Sequence, residues 1–421
     1  MSNRYIFQGG LVTDPSQNLR KIKDLAVTDR QIAEVSDHII PEHGDKVVNC
    51  DGLEIWPGLI DMHLHVADLY EVSTGTPYCA VEDGVTTALS PGAGNTFMTP
   101  ALLGAEVDRG LPINVGAYLG AANVLATRLT DQELIDMFRG ELPEQVMKEK
   151  MTRNAFTNMT AKYCIGIKEH MGHFILPDEW IERIYHITAE AGLLLMSHTQ
   201  DPKHTAHMVE LSKGRPLHLG HANAAGCGTH ADAVDGMQQI IDLCRLPNVT
   251  GEFVTTMLRK GLGSREGLQM TASSRQVALD ALADGTVNML VSDGENHSTM
   301  KGFGDTRDNI PCILELAKEG VVGIMDAVAM MTCNPAEYIS KITGCTEWKE
   351  KFGNLKSGSW ANITVVDPED QLATYVMTGG NLTSFENRYL RSHGKAGRWV
   401  SKYGSGWLGV GDAAMYRTER G

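Results

Sequence analysis

A rhythm in the middle of the chain constrains its fold more than any other feature. Between residues 59 and 293, eight apolar, strand-like runs alternate with longer amphipathic stretches. The runs are 59–65, 86–90, 113–119, 163–169, 193–198, 217–221, 249–254 and 288–293. Helix-like segments lie between them, among them 131–138, 178–191, 231–244 and 273–283. Asp178 and Ser273 suit helix starts, and Gly192 suits a helix stop. Eight repeats of strand then helix lead us to expect a (β/α)8 TIM barrel. An open doubly wound sheet is the alternative, but no Gly-x-Gly-x-x-Gly follows the first run.

The flanks read differently. Short alternating runs at 5–11, 24–28, 31–35, 47–50 and 54–56 are small strands. Strand character returns at 353–367 and 374–378 and continues to about 400. We expect the N- and C-terminal segments to form one small β-sandwich-like domain. The expected division is 1–56 with 350–403 for that domain, 57–349 for the barrel and 404–421 for a glycine-rich tail. Such a tail suits a mobile end or an arm reaching another subunit, and a homo-oligomer is expected.

With 42% apolar and 21% charged residues, the chain resembles an ordinary globular enzyme. Its formal charge of −15 argues against nucleic-acid or anionic-membrane partners, which need clustered Lys and Arg. A small polar molecule is the expected substrate. The eight cysteines contain no Cys-x-x-Cys pair, so reduced thiols in the cytoplasm are expected. No secretory signal is visible at the start. Nor is there an apolar run of the about 18 residues that a membrane span needs.

Polar residues close several of the runs. The first ends in His63 and His65, the fourth carries Lys168 and Glu169, the fifth ends in His198, the sixth in His221 and the eighth in Asp293. A bare His-x-His also fits two packed or solvated side chains, because two ligands do not complete a metal site. Barrel enzymes, however, build their sites at the C-terminal strand ends. Ligand-type residues closing five separate strands therefore point to a metal centre. Lys168 and Glu169 are rivals for a bridging position, since neighbours on a strand face opposite ways.

In these residues the chain resembles the amidohydrolase superfamily, in the branch of hydantoinases, dihydroorotases and enamidases. The resemblance rests on Pro57 to His65, on Asp83-Gly84-Val85-Thr86-Thr87, on His198, His221 and Ser292-Asp293, and on Thr332 to Ala336. It implies that His63 and His65 hold one divalent ion and that His198 and His221 hold a second. Asp293 is then both ligand and proton carrier, and a carbamylated Lys168 is the bridge. Zinc is the expected metal, with manganese, nickel and iron as alternatives that imidazole and carboxylate also suit. Two such ions about 3.5–4 Å apart lower the pKa of a shared water and polarise a carbonyl. The implied reaction is hydrolysis of a non-peptide C–N bond in a cyclic amide, imide or hydantoin-like ring.

The polar rim residues Tyr118, His170, His173, Asn223, Arg259 and His297 are candidate substrate contacts, and Arg259 could pair a substrate carboxylate. One departure bears on the substrate. Dihydroorotases usually continue His-x-His with x-Arg, whereas Val66 and Ala67 follow here. Three other readings stand beside the ring amidase: an N-acyl amino acid deacylase, a heterocycle deaminase and a non-catalytic hydantoinase-like scaffold. The Ala222-Asn223-Ala224-Ala225 stretch after His221 lacks the glutamate of the deaminases, and the full ligand set counts against a scaffold.

Overall fold

The computed structural model describes residues 4–66, 76–92, 94–169, 175–264, 267–294, 302–390 and 396–406. Within them the eight central runs pair side by side, in parallel and in sequence order. The strands are Leu59–Asp61, Val85–Ser90, Asn114–Gly120, Gly166–Glu169, Leu194–His198 and Leu217–Gly220. A seventh is broken into Val249–Gly251 and Phe253–Val254, and Leu290–Val291 is the eighth. The Leu64–Gly294 bridge joins the eighth run to the first and closes the barrel.

The period-two pattern explains what each face does. On the fifth strand, Leu194 and Met196 pack with Ile60, Tyr118 and Val291 in the barrel interior. Leu193 and Leu195 instead join the larger apolar layer that includes Ile181, Ile184 and Tyr185 of the outer helix Asp178–Ala191. On the fourth strand Ile167 also faces that outer layer, so Gly166 and Lys168 face inward. Ile165, just before that strand begins, packs with the interior residues and does not share the environment of Ile167.

The helices follow their local signals, with small shifts at their starts. Helix Asp178–Ala191 begins after Pro177 and stops at Gly192, whose φ of 63° is the left-handed conformation glycine tolerates. Helix Ala272–Ala283 is capped by Thr271, not by Ser273: the Thr271 hydroxyl accepts the Ser274 N–H.

Strands from both chain ends form one nine-stranded sheet. Its N-terminal members are Arg4–Asp14, Leu19–Thr28, Gln31–Ser36, Lys46–Asn49 and Glu54–Pro57. Its C-terminal members are Ile363–Asp367, Leu372–Thr378, Asn381–Phe385 and Arg388–Tyr389. The join is antiparallel, with Ile363 opposite Pro57 and Val365 opposite Ile55. One segment departs from the sequence reading. Trp399–Ser401 pairs with the third barrel strand at Val115, and Gly404–Gly406 folds back on it. Val400 is fully buried among the interior residues, so burial there outweighs joining the small sheet.

Candidate metal centre

His63 and His65 lie just past the end of the first strand. Asp61 anchors them: its buried carboxylate accepts the backbone N–H of His63 at 3.1 Å and that of Ser292 at 3.1 Å. This side chain ties the first strand to the eighth, where the backbone ladder is thin. Burial pushes its pKa up to about 6, against those hydrogen bonds.

The Nε2 atoms of His63 and His65 lie 3.1 and 3.2 Å from the same oxygen, Oδ1 of Asp293. These three side chains could hold a metal ion. Asp293 is 3% exposed, and its other oxygen accepts the backbone N–H of Phe303. Burial opposes its charge, but His63, His65 and His221 hold its carboxyl well below the ordinary range. Asp293 and His221 have φ of 45° and 40°, left-handed values rare outside glycine. Strain of this kind gathers at functional sites.

His198 and His221 form the second pair, with Nδ1 of the former 2.9 Å from Nε2 of the latter. His221 Nδ1 lies 3.3 Å from the Thr199 carbonyl, which can only accept. That ring nitrogen therefore carries the proton, and Nε2 is left with its lone pair. Burial and the neighbouring charges of His198 and Lys168 push the His221 pKa well below the ordinary value. The rings of His63 and His221 stand 5.2 Å apart, so the two pairs adjoin. Phe303 covers the second pair, with its ring 4.7 Å from that of His221.

Lys168 is 2% exposed, and its charge is felt at a histidine of each pair, His63 and His221. A methyl group built on Gly220 would stand 2.9 Å from its Nζ and 3.1 Å from His63 Cε1. The lysine charge favours the neutral forms of those two histidines. Glu169 turns the other way, where Ser197 Oγ donates to it at 2.7 Å and His204 Nε2 is 3.6 Å away. The alternation that left two rivals thus puts Lys168, not Glu169, among the histidines.

The remaining sequence candidates divide sharply. Tyr118 is fully buried in the interior against Gly166, and its hydroxyl has no hydrogen-bond partner among the described residues. It is a core residue and not a rim contact. Asn223 is also fully buried, and its amide binds the backbone of Val254 through both its oxygen and its nitrogen. The Arg259 guanidinium is held by Asp308 and by Glu315 at 2.8 Å, so its donors are committed within the protein. That corrects its assignment to a substrate carboxylate. His170, His173 and His297 lie outside the described residues.

Sequence reasoning missed Glu252, which stands at the break in the seventh strand with no exposure. One oxygen touches His63 Nδ1 and the other lies 2.8 Å from His218 Nε2. Burial would raise its pKa, but His63 and His218 bring it down to about 2. The signal was a carboxylate inside an otherwise uncharged run, Val249 to Val254.

The donor set fits a metal. Glu252 as a carboxylate only accepts, so His63 Nδ1 carries the proton. His63 Nε2 then faces the Asp293 oxygen at 3.1 Å. Two lone pairs that close need a cation between them, which is a proton in the metal-free protein and would be a metal ion in a loaded one.

A parallel barrel with two histidine pairs, a lysine and an aspartate at the C-terminal strand ends defines a metal-dependent hydrolase. The profile of the amidohydrolase family matches residues 55–387, and the chain belongs to that family. It is therefore an enzyme hydrolysing carbon–nitrogen bonds other than peptide bonds. It is 24% identical to a dihydroorotase of Trichlorobacter lovleyi over 87% of this chain and 90% of that one. A dihydroorotase of Aquifex aeolicus is 22% identical over the same shares. In fold it is similar to the dihydropyrimidinase from Brevibacillus agri, with a TM-score of 0.68 at 16% identity over 96% and 99% of the two chains. A D-hydantoinase from Bacillus sp. AR9 gives 0.69 at 15% identity over 95% and 99%.

Proposed function

We propose that this amidohydrolase opens a cyclic amide, imide or hydantoin-like ring by hydrolysis at a two-metal centre. The observation that carries the proposal is the convergence of the His63–His65–Asp293 group and the His198–His221 pair around the buried end of Lys168. The dihydroorotase and hydantoinase likenesses supply the ring-amide class. Within that class, Val66 and Ala67 stand where a dihydroorotase would be expected to carry its carboxylate-binding arginine, which favours a different ring.

His63 and His65 would hold one ion, His198 and His221 the other, and Asp293 would join the first. A buried ammonium beside imidazoles is costly. Reaction of the neutral Lys168 amine with carbon dioxide, releasing one proton, would give a carbamate that supplies the centre with a further carboxylate ligand. The bound ions, for which zinc is our choice, supply Lewis acidity and an activated water at neutral pH. Asp293 takes the proton from the attacking water at its carboxylate and returns it to the leaving ring nitrogen. Phe303, over the second histidine pair, keeps bulk water from that side.

We further propose a small polar substrate, a cytoplasmic location and a homo-oligomer. No described helix is long and apolar enough to cross a membrane. The deaminase reading is not favoured, because Glu252, the carboxylate beside His221, is fully buried and turned to His63 and His218.

The test is a screen of hydantoins, cyclic imides, dihydropyrimidines, N-acyl amino acids and aminated heterocycles with metal-quantified protein. Ring opening that a chelator abolishes and added zinc restores supports the proposal. Turnover confined to acyclic amides or to deamination refutes it.

A further inference from the structure

Glu252 contacts a residue from each half of the proposed centre. Its Oε1 touches the ring of His63 and also accepts the backbone N–H of His221 at 3.2 Å. Its Oε2 lies 2.8 Å from His218 Nε2. His218 has no exposure, and its Nδ1 lies 2.8 Å from the Thr250 hydroxyl. Thr250 and Glu252 sit two residues apart on the seventh strand and so grip the His218 ring from one side.

These contacts have a direction. A carboxylate presents only acceptors, so each neighbour must offer it a hydrogen. His218 can do so because the Thr250 hydroxyl either donates to or accepts from its other nitrogen. His221 does so through its backbone, at a residue held in a left-handed conformation. His63 must do so through Nδ1, and only Nε2 then remains to take a ligand. No substrate could reach Glu252, so it acts through the ligands it holds.

We infer that Glu252, seated by His218, is a positioning residue that sets the tautomer and orientation of His63 and fixes the backbone of His221. The inference rests on the two-metal reading of the site. Outer partners of metal-bound histidines typically change affinity 10- to 100-fold when altered. Glutamine keeps one acceptor oxygen but loses the charge, whereas methionine removes the acceptor as well.

The experiment is zinc binding to the purified full chain by chelator competition, with the unfolding midpoint of each metal-free variant as the control for folding. Glu252→Gln should weaken zinc about 10-fold and Glu252→Met about 100-fold. In a His63→Asn background, Glu252→Gln should change the affinity of the remaining ion less than about threefold. Equal affinity in wild type and Glu252→Gln overturns the inference. An equal loss with or without His63 also overturns it, because the glutamine oxygen can still accept the His221 N–H and the lost charge would then act without His63. If Glu252→Met does not fold, the Gln variant and the His63 cycle still decide. A wild-type chain that binds no zinc refutes the two-metal reading and this inference together. Wild-type binding without a Glu252 effect refutes the inference alone.

Discussion

Gly220 offers a perturbation whose size follows from the geometry. A methyl at its α-carbon would lie 2.9 Å from Lys168 Nζ, 3.1 Å from His63 Cε1 and 3.2 Å from the Ser197 carbonyl. Ordinary contacts begin near 3.4 Å, so Gly220→Ala must push these atoms away by a few tenths of an ångström. The Ser197 carbonyl belongs to a strand and yields little, so the shift falls on Lys168 and His63. Overpacking a filled interior costs about 1–3 kcal/mol. Spread over a chain of this length, that lowers the melting midpoint by only about 1–3 °C. Function should suffer more, because a 1 Å misplacement costs about 100-fold in rate, so a shift of a few tenths of an ångström costs roughly 3- to 10-fold. Gly323→Ala is the control, since its methyl would meet only the Asp326 carboxylate at 3.3 Å. Calorimetry, metal analysis and kcat on both variants are the assay. Gly220→Ala should remain folded, lose metal and lose most activity, while the control stays near wild type. A Gly220→Ala protein with full metal content and normal kcat would refute the placement of Lys168 among the histidines.

Asp293→Asn should cut kcat by about 100- to 10,000-fold with metal still bound, as expected for a lost proton carrier, and normal turnover would remove it from that role. Arg259→Ala should leave KM within about twofold and lower stability by about 1–3 kcal/mol, because the side chain serves Asp308 and Glu315; a large rise in KM would restore it as a substrate contact. Asp24 accepts the N–H groups of Gly9 at 2.9 Å and Ile39 at 2.8 Å, and these bonds overcome burial to lower its pKa from 3.8. A depressed folded pKa stabilises above the unfolded value and is lost as pH falls through the folded one. Asp24→Asn should therefore cost about 1.5–3 kcal/mol at pH 7, and the gap to wild type in urea midpoints should close below pH 3.8; a gap independent of pH contradicts this.

Much of the fold is legible because two periods coexist in the sequence. Alternation in runs such as Leu193 to His198 puts His198 inward with Leu194 and Met196, so a histidine closing a run also marks a direction. The candidates His63, His65, Lys168, His198, His221 and Asp293 were all marked by their places at run ends, and the structure brings them together. Alternation gives the inward direction of Lys168, His198 and Asp293, whereas His63, His65 and His221 are out of phase with the inward residues of their runs and turn in past the strand ends. The rim candidates came from a weaker rule, that polar residues follow strand ends. Loop polarity carries no direction, so Asn223 and Arg259 could be misread although both serve the protein's own backbone and carboxylates. Tyr118 was misread for another reason: it lies within a strand, and a phenol there fills the interior as readily as it lines a rim. Glu252 escaped notice because it ends no run. Its partners come from the first and sixth strands, and no local pattern records a contact 189 residues away in sequence. The same limit hid the pairing of Trp399 with Val115.

The central claim is a two-metal centre, and the metal content of the purified chain tests it most directly. Plasma mass spectrometry of protein prepared with zinc and bicarbonate should find two ions per chain, falling to one or none in Lys168→Ala. A wild-type chain that retains no divalent metal, or holds the same number with and without Lys168, would contradict the account.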